Sequence, residues 1–181
     1  PVHIPMNPVT AICLILGGAA LAIAREDRAR PTAILGGAVA IAGAWKFAEL
    51  GLGFPAIDTL LFTDLLDGPP GLIPSRMALN TALALVLTGA SLALLASPRP
   101  SMRMVSQLCV VGTLLILLLA VTGYLFDLEP LRTVSFHIAM KPETVVALGL
   151  IAAGVLIRTR HDGIVALMRD PNPAGAICRV I

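Results

Sequence analysis

Two histidines stand in matched surroundings in this sequence, His3 in HIPMNPVTA and His137 in HIAMKPETV. An imidazole on an apolar helix can ligate haem iron or the magnesium of a chlorophyll-type pigment through one ring nitrogen. The plainer reading makes both of them interfacial histidines that hydrogen-bond to headgroups, water or helix ends, and His3 lies beside a terminus. His161, in the basic run RTRHD, reads as a solvated residue. A second pair, Lys46 and Glu49, is spaced i, i+3 beside Trp45 in GAWKFAELGLGF, which puts both charges on one helix face. There they could line a ligand pocket or a proton path; alternatively, Lys46 snorkels toward water with Glu49 next to it. Asp58, Asp127 and Glu129 could share a divalent cation, but acids on connecting segments are ordinarily solvated and no ligand spacing joins these.

Other chemistries find no footing. The sequence holds no GxSxG, P-loop, HExxH or CxxC pattern and no credible pair of catalytic carboxylates, so no enzyme is expected. The pairs Gly17-Gly18 and Gly36-Gly37 lie inside apolar runs, where close helix packing accounts for them. Cys13, Cys109 and Cys178 are too far apart to suggest a disulfide framework or a zinc spacing and read as small apolar residues. A net charge of +2 carried by dispersed arginines excludes nucleic acid as a partner.

The elements that must position these residues follow from hydropathy. Of the 181 residues 57% are hydrophobic and 13% charged, with a mean hydropathy of +0.90, so the expected solvent is the lipid bilayer. Five apolar segments approach the ~20 residues that a helix needs to cross hydrocarbon: about 7–24, 32–53, 78–96, 105–125 and 142–157. Strands would show alternation, which is absent, and five are too few to close a barrel. The expected fold is therefore all-α, an integral membrane bundle of about five transmembrane helices. Between the second and third segments, IDTLLFTDLLDG sets Asp58, Asp64 and Asp67 among leucines at near-helical spacing and reads as a short interfacial helix before the PPG turn. The opening PVHIPMNPVT has no basic leader or cleavage site, so the first segment is expected to stay in the membrane, and Pro1 fits a start whose methionine was trimmed.

Basic residues orient the segments, because lysine and arginine are retained on the cytoplasmic side. Arg25, Arg28 and Arg30, Arg99 and Arg103, and Arg158, Arg160, Arg169 and Arg179 fall on one side. Lys46, Arg76, Arg132 and Lys141 fall on the other, with most of the acids. The N-terminus is thus expected outside the bacterial inner membrane, and the tail 161–181 in the cytoplasm. Trp45, Phe47, Phe54, Tyr124 and Phe126 gather where an outer aromatic belt belongs.

An internal repeat relates the first, third and fifth segments, whose starts align as HIPMNPVTA, PSRMALNTA and HIAMKPETV. Each places a methionine four residues before a threonine: Met6 and Thr10, Met77 and Thr81, Met140 and Thr144. Eight residues beyond each threonine stand Gly18, Gly89 and Ala152, and two further on Ala20, Ser91 and Gly154, the small residues expected where membrane helices approach closely. The threonines can bond within their own helices or across to neighbours. The chain 1–181 thus reads as one transmembrane domain made of a unit at about 3–73, a second at about 74–136, a half unit at about 137–160 and the tail.

At this point the residues resemble a family. FPAIDTLLF, IPSRMALNTALALVLTGASLALL and VTGYLFDLEPL together look like the multi-helix membrane region at the N-terminus of many bacterial sensor histidine kinases and diguanylate cyclases. Those regions carry variants of RM-x-x-NTA-x-x-x-x-L-x-G-x-x-L ahead of cytoplasmic sensory and output domains. The resemblance runs from about Met6 to the tail, and its distinctive part is Arg76 to Gly89. This chain departs by lacking the extra helices usual at either end, by carrying HIAMKPET where relatives tend to have an arginine-methionine version, and by showing no kinase, cyclase or receiver pattern. The resemblance implies a non-enzymatic sensory or binding module, whether part of a sensor or a stand-alone version. The other reading is an accessory structural subunit of a larger electron-transfer or photosynthetic membrane complex, partnered by other subunits or a second copy, with haem or pigment at His137 or His3.

Overall fold

A computed structural model of the chain describes residues 6–52, 77–126 and 140–160. They form five α-helices: α1 (Pro8–Ile23), α2 (Ala29–Leu52), α3 (Leu79–Leu95), α4 (Pro100–Leu125) and α5 (Pro142–Arg158). The expected interfacial helix around Asp58 to Asp67 lies outside the described residues, as do His3, His137, His161, Asp127 and Glu129.

The helix starts follow from local chemistry. Asn7 caps α1, its Oδ1 accepting from the amides of Val9 at 2.9 Å and Thr10 at 3.2 Å, and Pro8 needs no acceptor at the first helical position. Proline recurs in the first turns of α4 and α5, at Pro100 and Pro142. Pro100 also explains why α4 begins five residues before the apolar run at 105: its fixed φ nucleates the helix inside SPRPSMR, where hydropathy alone sees a loop. A 3₁₀ turn, Glu26–Arg28, joins α1 to α2, and the Ser97 hydroxyl accepts from the Arg99 amide at 3.4 Å in the turn between α3 and α4.

The helices close into a ring, each packed on its chain neighbours and α5 returning to α1, while α3 touches all four others. The interior mixes apolar and polar side chains. Among the described residues thirteen polar or charged ones are buried, including Thr10, Thr32, Thr81, Thr88, Ser106, Gln107, Thr113 and Thr144. Twenty large hydrophobic residues of the described set are exposed, including Ile15 and Ile34 at 70%, Leu118 at 59% and Leu150 at 69%. Exposed apolar side chains around an interior that also holds hydrogen-bonded polar groups are the distribution expected if hydrocarbon surrounds the bundle.

Helices α2, over Ala29–Glu49, and α4 are long and apolar enough to cross a membrane, whereas α1 and α3 are shorter apolar helices. The lengths account for the difference. At 1.5 Å per residue the 16 residues of α1 rise about 24 Å and the 26 of α4 about 39 Å, against ~30 Å of hydrocarbon.

Candidate functional site

Glycines bring the backbones of α2 and α3 into direct contact. A Cβ placed on Gly36 would lie 2.6 Å from the Ala93 amide nitrogen, one on Gly43 2.6 Å from the Ala82 carbonyl oxygen, and one on Gly89 2.6 Å from the Gly36 carbonyl oxygen. These neighbours are backbone atoms, so the two helices touch main chain to main chain, the geometry that small residues allow in membranes. Gly18 does not belong to such a seam: a Cβ there meets nothing within 4 Å, and it is Gly17 that faces the interior, 3.3 Å from Ile151 Cδ1. Gly36 and Gly37 divide in the same way. Each step along a helix turns ~100°, so only one glycine of an adjacent pair can point at the neighbouring helix.

The buried residues of α2 are Thr32, Gly36, Val39, Gly43 and Lys46, at alternating steps of four and three. Lys46 therefore stands on the stripe that packs against the bundle and does not reach toward water. It is 7% exposed, and its Nζ lies 2.7 Å from Glu49 Oε1. Glu49 Oε2 is buried with no hydrogen-bond partner. Removing both charges from water costs several kcal/mol, which their contact repays only in part, so the pair is the least satisfied polar group of the described interior. Trp45 is half-buried beside it.

The repeat threonines Thr10, Thr81 and Thr144 are all buried, as are Met77 and Met140. Thr144 Oγ1 lies 3.5 Å from Met6 Sδ, joining the starts of α5 and α1, and Asn80 Oδ1 accepts from the Thr81 amide at 2.9 Å. The Tyr124 hydroxyl donates to the Met140 carbonyl, fastening the end of α4 to the start of α5. At the N-cap of α5, burial pushes the Lys141 ammonium below its usual value, with Glu143 acting in the opposite sense.

A second polar system runs from the middle of α3 and α4 toward the end of α5, and of its members the internal repeat marks Ser91 alone, as a small packing residue. Thr88 and Thr113 hydroxyls meet at 3.3 Å between α3 and α4, and Ser91 and Ser106 hydroxyls at 2.9 Å, with Ser106 also donating to the Ser91 carbonyl at 2.8 Å. Gln107 Nε2 donates to the Thr159 carbonyl at 3.0 Å, tying α4 to the end of α5. The available signal was Ser106, Gln107 and Thr113 interrupting an apolar run, since polar groups at membrane depth turn inward. Among the described residues no three His, Cys, Asp or Glu side chains are grouped to hold a metal ion. No family model matches the chain, and neither a curated protein nor a solved structure matches it.

Proposed function

We propose that this chain is a non-enzymatic sensory module of the bacterial inner membrane, its five helices crossing the bilayer and its role similar to that of the input regions of signalling kinases. The observation that carries the reading is the unequal fastening of the helices. The pair α2 and α3 is held main chain to main chain at Gly36, Gly43 and Gly89. Helices α4 and α5 are attached through side chains alone, by apolar packing at residues such as Leu117, Leu148 and Val155 and by the hydrogen bonds Thr88 to Thr113, Ser91 to Ser106 and Gln107 to Thr159. Bonds of this kind within membranes are worth only about 0.6 kcal/mol on average. A pair locked through its backbones beside two helices held by side chains is suited to two arrangements close in free energy, which a ligand or the membrane can bias only by favouring one of them. Helix lengths supply such a bias, since a bilayer that fits the 26 residues of α4 is too thick for the 16 of α1.

Spin labels on Ile34→Cys in α2 and Ile157→Cys in α5, both exposed, would read this shift in a background without native cysteines. In nanodiscs of thin and thick lipids the distance distribution should have two populations whose ratio changes with thickness. One narrow distance, the same in every bilayer, contradicts the sensory reading.

A further inference from the structure

Where α1, α3 and α5 end and α2 and α4 begin, the helices surround a cavity of about 570 Å³. Arg25 reaches it from the first connection, Arg103 from the first turn of α4 and Arg158 from the last turn of α5, with Thr32, Ser97 and Thr159 between them. The neutral groups are already satisfied. Thr32 Oγ1 donates to the Arg28 carbonyl at 2.9 Å, Thr159 Oγ1 to the Val155 carbonyl at 3.0 Å, and the Thr159 carbonyl accepts from Gln107. The cations differ. Arg103 Nε donates to the Ser97 carbonyl at 3.5 Å, whereas Arg25 and Arg158 make no ion pair with any described residue. No acid is among the described lining residues.

Three guanidinium groups brought to one cavity, two by helices and one by the first connection, set up a positive potential there that a bound anion would relieve. Their planar forks match phosphate oxygens, and the volume falls within the ~300–1,000 Å³ of small-molecule sites, more than a lone phosphate needs. Met104 at 47%, Val105 at 43% and Ile157 at 67% exposure adjoin Arg103 and Arg158 in sequence and put apolar surface beside the charges. We propose that this cavity binds the phosphate headgroup of an anionic phospholipid, whose acyl chains lie along the exposed faces of α4 and α5. Basic pockets between membrane helices on the cytoplasmic side recognise lipids in this way. The proposal rests on the membrane reading above but not on any movement of α5, so the two can fail separately.

The test uses the full chain in neutral detergent, with the thermal midpoint followed while short-chain phosphatidylglycerol is added. Phosphatidylcholine of the same chain length and inorganic phosphate are the parallel additions. Phosphatidylglycerol should raise the midpoint saturably and the other two should not. In the Arg25→Gln/Arg158→Gln variant the half-saturating concentration should rise about tenfold or more, the loss of one or two charge-assisted contacts. Arg28→Gln/Arg30→Gln removes equal charge from outside the lining and should leave it within about twofold. Should the first variant prove unstable without lipid, Arg25→Lys/Arg158→Lys keeps the charge, and a rise of severalfold is expected from loss of the fork. Equal effects in the two glutamine variants would reduce the site to diffuse surface charge, and saturation by inorganic phosphate alone at the same concentration would make it a free-anion site; either result overturns the proposal.

Discussion

Replacing Gly89 by alanine should destabilise the bundle by about 1–3 kcal/mol, although alanine is the better helix former. The new methyl group would press on the Ala40 backbone and lie 2.6 Å from the Gly36 carbonyl oxygen, atoms that cannot turn aside as a side chain can. Helices α2 and α3 would have to separate, losing contact along the seam from Gly36 to Gly43. The matched controls are Gly18→Ala and Gly37→Ala, where a Cβ meets nothing within 4 Å. These two should be neutral or gain up to about 1 kcal/mol from helix propensity. Unfolding in mixed micelles, followed by the fluorescence of the single tryptophan, Trp45, would separate the two classes. Equal midpoints for Gly89→Ala and Gly18→Ala would remove the seam from the account.

A larger loss is expected at the buried ion pair. Lys46→Met leaves the Glu49 carboxylate without its cation in a place where Oε2 already lacks a partner, and should cost about 3–5 kcal/mol. Lys46→Met/Glu49→Met removes both charges and should recover most of that loss, because an apolar pair of similar volume carries no desolvation penalty. The double-mutant cycle measured by the same unfolding assay gives the coupling directly. If the two single substitutions simply add in the double variant, the pair is solvated in the folded protein and the stripe from Thr32 to Lys46 does not enclose it.

The elements were legible in the sequence to within a few residues because apolar runs and prolines are local signals. Asn7 and Pro8 at the start of α1, and Pro142 at the start of α5, mark their helices directly. Rotation about each axis was less legible. The repeat alignment fixes the level of Gly18 along its helix, but the interior lies one residue away at Gly17. Lys46 reads as a snorkelling residue if judged by its distance from the segment end; the steps of four and three from Thr32 through Gly43 place it on the buried face. Pairings such as Thr88 with Thr113 depend on how two whole helices sit side by side, which no local pattern encodes. The arginines carry the same lesson. Their count on one side speaks to orientation, yet the meeting of Arg25, Arg103 and Arg158 at one cavity follows only from closure of the ring.

The central claim is that these helices cross a bilayer, placing opposite ends of the ring on opposite sides. A membrane-impermeant maleimide applied to intact spheroplasts tests it on single cysteines at Ser101, at the start of α4, and at Phe126, just beyond its end, both exposed, in a variant without Cys13, Cys109 and Cys178. Phe126→Cys should react from outside, and Ser101→Cys only after the membrane is permeabilised. Reaction of both cysteines in intact spheroplasts would contradict the account.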